Sequence, residues 1–461
     1  MTKLLIRGSH ILTPRGIIQG DMLLDGGKIE RIDSTIKPPS GCREIDASGL
    51  ISIPGIIDPH VHIELEAYGS ASSDDFYSGS AAGAAGGVTS YIDFAIPFEG
   101  ENMVDALKRK SASAAGRSLT DYSFHAQINS WDKNKPFEMD EVIEAGIGSF
   151  KIFMPATEGW GLDDLGLYEA LKHSVASDSL ILVHAENGDI VEGMRKSFEK
   201  NDRVAIKDYP KSRPSFAETE AVLRAAYLAR KASAPLYVCH LSSGESAEEL
   251  KRLRRAGENI FIETCPQYLI LDDSLYSEKE GYLYVCAPPI RSKESTYGLW
   301  RGIIESTIDT IGTDHCPFMR KEKKAGGNSF IKTPMGLPGI GLSFPLMYTE
   351  GVVNRKLDLK GLVKLLSENP ARIFGLYPEK GALLEGSDAD IVIFDPDGTY
   401  EISSASPKAG NCDWSAYEGY EAEVSIEYTI SRGRVVFENG KIHKQEEPGR
   451  LIPRTGSTYS I

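Results

Sequence analysis

Histidine residues recur at the ends of apolar runs in this chain, in a pattern typical of metal ligands. The first such run ends in His60 and His62, and two later runs end in His184 and His240. Side chains alternate between the two faces of a strand, so both imidazoles of the first pair point the same way and can hold one ion. Imidazole nitrogen is a common metal ligand. The spacing therefore predicts a metal centre.

Two further residues extend this predicted centre. Asp314, in "GTDHCPF", offers a carboxylate, and Lys151 lies inside the apolar stretch "GSFKIFM". Lysine is almost never fully buried without a partner, and an ammonium group cannot ligate a cation. Reaction with carbon dioxide would turn Lys151 into a carbamate that bridges two metal ions; the alternative is a lysine whose stem follows apolar surface into water. Nitrogen ligands with a carboxylate favour zinc, with manganese, iron or cobalt as alternatives.

The other histidines lack such a setting. His125 lies in an apolar run without a supporting motif, so we expect a structural role. His315 follows Asp314 directly and should point the opposite way, towards packing or support of the site. Three more lie outside the predicted strand ends and are expected at the surface: His10, His173 and His443.

Eight apolar runs, from "ISIPGIIDPHVH" to "TIDTIGTDHCPF", alternate with amphipathic stretches such as "AETEAVLRAAYLARKAS". Strands that alternate with helices indicate parallel βα units. Eight units predict a (β/α)₈ TIM-like barrel over residues 53–382, with its chemistry at the carboxyl ends of the strands. The small-residue segment "GSAAGAAGG" lacks the spacing of a phosphate loop and is predicted to be a tightly packed helix.

Both ends of the chain have a different pattern. Segments such as "KLLIRGSHIL" and "VSIEYTISRGRVVFENGKI" combine β-branched residues with glycine turns, which is typical of antiparallel strands. We therefore predict one small β-sandwich domain composed of residues 1–52 and 383–461.

Composition narrows the classes of function. The net charge of −15 disfavours binding to nucleic acid, which needs clustered Lys and Arg. No apolar run approaches the roughly 18 residues of a membrane helix, and the start of the chain lacks the pattern of a signal peptide. The six cysteines form no CxxC pair, so reduced thiols and a cytoplasmic location are expected.

Many segments together resemble one family. They include "PGIIDPHVH", "GGVTSYIDFA", "GSFKIFM", "VHAENGD", "ETCPQYL", "TDHCPF" and "GSDADIVIFDP". The chain resembles the hydantoinase/dihydropyrimidinase group of cyclic amidohydrolases, within the amidohydrolase superfamily. The resemblance implies a barrel with a β-sandwich, and a hydrolase that opens a 5-substituted hydantoin or a dihydropyrimidine to a carbamoyl amino acid. It also suggests a homotetramer or dimer.

The resemblance also assigns roles to the candidate ligands. His60, His62, Lys151 and Asp314 would hold one metal ion, and Asp314 would serve as general base and then general acid. Lys151, as an N6-carboxylysine, would bridge to a second ion, and this ion's set is completed by two further histidines: His184 and His240.

The substrate contacts depart from the family pattern. Ala156 stands where D-hydantoinases and dihydropyrimidinases carry a tyrosine that supports the oxyanion, and L-selective hydantoinases share a small residue there. Ala287 and Met335 match a serine and an asparagine that contact the substrate through their main chain. Four loop residues are expected either to line an apolar pocket or to pack within their loops: Tyr68, Phe98, Trp160 and Leu162.

Related functions remain as alternatives. Allantoinases share the ligand set. Dihydroorotases carry an arginine where this chain has Glu64. A non-catalytic scaffold like the collapsin response mediator proteins is disfavoured because all six ligand positions are intact, and a mononuclear deaminase is disfavoured because it needs no lysine.

Overall fold

The structure is a computed structural model that describes residues 3–155 and 160–454 of the 461-residue chain. The amino-terminal part forms one side of a sheet, in which β2 pairs antiparallel with both β1 and β3. Positive φ angles at Gly26 and Gly27 make the tight turn between β2 and β3, which suits glycine because it has no Cβ. The strands are β1 (Leu4–Thr13), β2 (Gly16–Asp25), β3 (Lys28–Asp33), β4 (Arg43–Asp46) and β5 (Ile51–Pro54).

The middle of the chain forms the predicted barrel. Its first strand is β6 (Ile56–Val61), which is followed by a small hairpin of β7 (Glu66–Ala67) and β8 (Ser70–Ala71). The remaining barrel strands are β9 (Val88–Ala95), β10 (Asp121–Ile128), β11 (Ser149–Phe153), β12 (Leu180–His184), β13 (Leu236–Val238), β14 (Ile260–Thr264) and β15 (Thr310–Ile311).

These eight strands pair in parallel and in chain order, from β6 to β15. The segment after β15 then reaches β6: the His62 N–H donates to the His315 carbonyl at 2.7 Å. The sheet is thereby nearly closed, and the prediction of a (β/α)₈ barrel is confirmed.

Helices cover the outside of the barrel. The small-residue segment lies in the first of them, as predicted, and Gly79 packs so closely on Ile63 that an added Cβ would lie 2.8 Å from the Ile63 side chain. The α-helices are α1 (Phe76–Ala85), α2 (Met103–Ala114), α3 (Lys135–Glu144), α4 (Asp164–Ala176), α5 (Gly188–Lys200), α6 (Tyr209–Ser212), α7 (Ser215–Ala232), α8 (Gly244–Arg255), α9 (Pro266–Ile270), α10 (Lys293–Ile304), α11 (Arg320–Ala325), α12 (Ser343–Met347), α13 (Leu359–Val363) and α14 (Asn369–Ile373).

The carboxyl-terminal strands return to the first sheet. There β16 pairs with β5, which joins both ends of the chain in one sheet of nine strands. The sheet is mixed, because β4 and β5 run parallel to β1 while most other pairs are antiparallel as predicted. The strands are β16 (Ile391–Asp395), β17 (Tyr400–Glu401), β18 (Glu421–Ala422), β19 (Ser425–Ser431), β20 (Arg434–Glu438) and β21 (Lys441–Ile442), of which β17 and β18 form a separate pair. The domain boundaries near residues 52 and 383 stay a prediction.

Candidate metal centre

The six candidate ligands meet at the carboxyl end of the barrel. His60 is on β6, Lys151 on β11 and His184 at the end of β12. The other three lie within three residues after a strand end: His62, His240 and Asp314. We call His60, His62 and Asp314 the aspartate group, and Lys151, His184 and His240 the lysine group.

The aspartate group converges on one carboxylate oxygen. Asp314 Oδ1 lies 3.1 Å from His62 Nε2 and 3.3 Å from His60 Nε2. His60 is fully buried, and its contact with Asp314 Oδ1 lacks the geometry of a hydrogen bond, so its Nε2 has no hydrogen-bond partner within residues 3–155 and 160–454. A buried polar atom without a partner is unfavourable, so a cation between these three side chains fits the geometry.

The lysine group is equally compact. His240 Nε2 lies 3.1 Å from His184 Nδ1 and 3.4 Å from Lys151 Nζ. The two groups adjoin, because the ring centroids of His60 and His240 are 5.3 Å apart. The site thus contains two neighbouring clusters of potential ligand atoms, with Lys151 almost completely buried beside them.

Two buried glutamates orient the imidazoles, and sequence reasoning missed both of them. Glu263 Oε1 accepts from His60 Nδ1 at 2.7 Å, which leaves Nε2 free to ligate. Glu186 Oε2 accepts from His184 Nε2 at 2.8 Å, which leaves Nδ1 facing the lysine group. Carboxylates commonly fix metal-binding histidines in this way. The available signal was a glutamate inside an apolar strand, "NIFIETC", and one two residues after a strand-end histidine, "VHAE".

Asp58 holds the segment that carries Asp314. Its Oδ2 accepts from Thr313 Oγ1 at 2.6 Å, and its Oδ1 accepts from the N–H groups of Thr313 at 3.1 Å and His60 at 3.2 Å. Burial raises the pKa of Asp58 to about 7, against the opposing effect of these bonds. The side chain of Asp58 thereby holds the first barrel strand, β6, next to the segment that follows the last barrel strand, β15.

Burial sets the protonation of the ligands. Burial lowers the pKa values of His60, His184 and His240 below the usual range, which favours neutral imidazoles. Burial alone would raise the pKa of Asp314, but the electrostatic interaction of its carboxylate with the adjacent His60 and His62 side chains, including the hydrogen bond with His62, outweighs burial and lowers the pKa. Neutral imidazole and ionised carboxylate are the forms that bind metal.

Two of the six residues have an unusual backbone conformation. The φ angle is +36° at His240 and +51° at Asp314, in the left-handed region that β-carbon-bearing residues seldom occupy. Such strain persists where the surroundings enforce it and is concentrated at functional sites.

Of the three predicted substrate-binding residues, the structure describes two, Ala287 and Met335, and their segments adjoin. Ala156 falls outside the described residues. Ala287 and Met335 are half-buried, and Tyr209 joins their segments: its hydroxyl donates to the Cys286 carbonyl at 2.7 Å and contacts Met335 Sδ at 3.6 Å.

The four loop residues do not form one apolar pocket. Phe98 and Trp160 line a cavity of about 630 Å³ whose wall also contains polar side chains, among them Gln127, Asn129 and Glu138. Leu162 is buried in the core, and Tyr68 is exposed near Phe318.

The remaining histidines serve other contacts. His125 is fully buried and hydrogen-bonded, and His315 Nε2 lies 3.1 Å from Asp74 Oδ2. The last three are half-buried or exposed: His10, His173 and His443.

The fold and the site define a (β/α)₈ barrel with a cluster of potential metal ligands at the carboxyl ends of its strands. The model of the amidohydrolase family matches residues 51–436. The chain is 35% identical to a D-hydantoinase of Streptomyces coelicolor, over 99% of each chain. The chain belongs to the amidohydrolase family.

Solved structures agree with this assignment. A dihydropyrimidinase from Brevibacillus agri superposes with a TM-score of 0.96 at 34% identity, over 99% of this chain and 100% of that one. An L-hydantoinase (dihydropyrimidinase) from Arthrobacter aurescens superposes with a TM-score of 0.90 at 30% identity, over 98% and 100%. Both similarities extend over both sheets.

Two further observations concern the cysteines and the possibility of a membrane-spanning helix. All six cysteines are free thiols, and five of them are buried. Among the described helices, none is long and apolar enough to cross a membrane.

Proposed function

We propose that this protein is a hydrolase of C–N bonds in cyclic amides, and that it opens a 5-substituted hydantoin or a dihydropyrimidine to a carbamoyl amino acid. The observation that carries this proposal is the pair of adjoining ligand clusters, the aspartate group and the lysine group, at the catalytic end of the barrel. The names of the relatives support the substrate class.

The ligands suit two divalent ions, of which zinc fits a set rich in imidazole best. When bound, such ions lower the pKa of water towards neutrality and polarise a carbonyl. Asp314 would accept a proton from the attacking water at its carboxylate and return it to the leaving ring nitrogen.

A carbamate on Lys151 completes the proposed site. Its Nζ is buried among imidazoles and the faces of Phe94 and Phe153, each ring centroid at 5.4 Å, and lies 3.4 Å from His240 Nε2 with no carboxylate paired to it among the described residues. A cation in such surroundings is unfavourable. An anionic carbamate on Lys151 would remove this conflict and would offer oxygen ligands to the metal centre.

Stabilisation of the oxyanion differs from the family pattern in this proposal. Ala156 has no hydroxyl to donate, so this electrostatic contribution falls to the metal centre or to another donor. Ala287 and Met335 would contact the substrate ring through their main chain. We also propose a cytoplasmic homo-oligomer, a tetramer or a dimer, which analytical ultracentrifugation would test.

The experiment compares the wild-type protein with Lys151→Ala after exposure to ¹³C-bicarbonate and zinc. The wild type should show a carbamate ¹³C resonance, two zinc ions per chain and ring opening on a panel of hydantoins of both hands, dihydrouracil and allantoin. The variant should lose all three properties, and added propionate should restore part of the activity by replacing the missing carboxylate.

A second buried lysine provides the control. Lys380 Nζ is paired with three carboxylates away from the site, so Lys380→Ala should lower stability and keep the ¹³C signal. A fully active and fully metallated Lys151→Ala variant would refute the proposal.

A further inference from the structure

The end of the described chain returns to the barrel. Residues 448–454, which we call the arm, follow the last strand of the terminal sheet and run beside the start of β10. The Tyr122 N–H donates to the Arg450 carbonyl at 3.0 Å, and the Ile452 N–H donates to the Tyr122 carbonyl at 2.8 Å. The arm is thus bound to the end of the barrel opposite the metal centre.

Arg454 extends from this arm into the barrel. Its side chain is only 3% exposed, and its Nε donates to Ser123 Oγ at 2.8 Å. Its Nη2 donates to Ser149 Oγ at 2.9 Å and also to the Phe124 carbonyl. The guanidinium therefore links β10 to β11, the strand that carries Lys151.

A directed chain of hydrogen bonds continues from Arg454 to the metal centre. His125 Nε2 faces the Pro59 carbonyl at 3.0 Å and must donate to it, so Nδ1 of the neutral ring accepts. Ser149 Oγ lies 2.6 Å from this Nδ1 and donates to it, while it accepts from Arg454. Burial, and then the charge of Arg454, lower the pKa of His125, which keeps the ring neutral.

Two members of this hydrogen-bond series, Pro59 and Ser149, are close to metal ligands in the sequence. Pro59 directly precedes His60, and Ser149 is on the same face of β11 as Lys151, two residues away. Hydrogen bonds in series polarise one another, and burial strengthens them. A charged donor at one end therefore tightens the bond to the Pro59 carbonyl at the other end.

We propose that Arg454 is a positioning residue, which acts through Ser149 and His125 to fix the main chain at Pro59 and thereby the metal ligands His60 and His62. The inference rests on the proposed metal site. Docking of the arm and order in the metal centre are coupled, although they lie at opposite ends of the barrel.

Arg454→Met tests this coupling, because methionine keeps an apolar stem and removes the hydrogen bonds to Ser123, Phe124 and Ser149. We expect zinc affinity to fall about tenfold, the low end of the range for residues that directly hold a ligand. The visible spectrum of the cobalt-substituted protein should change, and kcat should fall more than KM rises. Arg454→Lys should restore part of the affinity by donating one bond.

Arg450 provides the matched control in the same arm. Its guanidinium is 56% exposed, with Asp388 Oδ2 at 3.8 Å, so Arg450→Met should leave zinc affinity and the cobalt spectrum unchanged. If Arg454→Met does not fold, Ser149→Ala interrupts the hydrogen-bond series between Arg454 and His125 and leaves the hydrogen bond from Arg454 to Ser123 intact.

Two results would overturn the proposal: wild-type zinc affinity in both Arg454→Met and Ser149→Ala, or an equal loss in Arg450→Met. Failure of the proposed function is separately visible. In that case wild-type protein with two bound ions would open no cyclic amide, whatever the variants do.

Discussion

Glu263 is the residue whose removal most sharply tests the geometry of the metal centre. It is fully buried, and its Oε1 accepts from His60 Nδ1 at 2.7 Å and from the His240 N–H at 2.8 Å. Its Oε2 accepts from the Tyr237 hydroxyl at 2.8 Å. One carboxylate thus orients a ligand from each group.

Burial raises the pKa of Glu263 to about 7, and above that pH Glu263→Gln removes the charge and keeps the shape. The amide oxygen can still accept from both histidines, and the new amide N–H can donate to the Tyr237 hydroxyl, which also lies 2.7 Å from Thr310 Oγ1. Hydrogen bonds with a charged partner contribute about 1.5–3 kcal/mol and neutral ones about 0.5–1.5 kcal/mol. The difference of about 1–1.5 kcal/mol at His60 corresponds to about a five- to twelvefold loss of zinc affinity.

The assay is competition for zinc against a chelating dye, with circular dichroism to verify the fold. Tyr237→Phe provides the control, because it removes one bond to Glu263 and leaves both the charge and the bond to His60. It should change zinc affinity less than threefold. Zinc affinity within twofold of wild type in Glu263→Gln would show that this carboxylate does not support His60 as a ligand.

Three further predictions concern charge and stability. Lys323 is fully buried, its Nζ donates to the carbonyls of Leu283 and Val285, and burial lowers its pKa to about 7. Between about pH 7 and 10 only the unfolded state binds this proton, so the unfolding free energy of wild type relative to Lys323→Met should rise with pH in urea titrations. A difference that stays constant with pH would contradict this prediction. Lys380→Met removes the cation that pairs with the buried carboxylate of Asp390 and one of the two that pair with Asp121, the other being Arg432. It should lower the unfolding free energy by about 3–5 kcal/mol in the same titrations. A loss below about 1 kcal/mol would show that the cluster does not stabilise the fold. Asp314→Asn removes the proposed proton acceptor, so kcat in the ring-opening assay should fall at least about 100-fold while KM changes little. A kcat close to that of wild type would assign the proton transfer to another group.

Much of the fold follows from pattern. Eight apolar runs correspond to the eight barrel strands, since parallel strands buried on both faces are continuously apolar. Glycine turns and β-branched residues indicated the strands at both ends. The parallel pairing of β4 and β5 with β1 was not predicted, because strand direction depends on connections that run between distant segments.

The candidate site was predictable where the residues lie at strand ends, as His60, Lys151 and His184 do. The supporting carboxylates of Glu186 and Glu263 could not be predicted, because their role depends on contacts with atoms that the three-dimensional fold brings next to them. The same holds for Arg454, whose partners are about 300 residues earlier in the chain. Local periodicity carries no information about such contacts.

Titration of the metal-free protein with zinc in bicarbonate buffer, monitored by hydantoin ring opening, tests the central claim most directly. The proposed function predicts no turnover without metal, and activity that rises to a plateau at two zinc ions per chain. Ring opening by metal-free protein, or a plateau at one ion, would contradict a binuclear centre built from the aspartate and lysine groups.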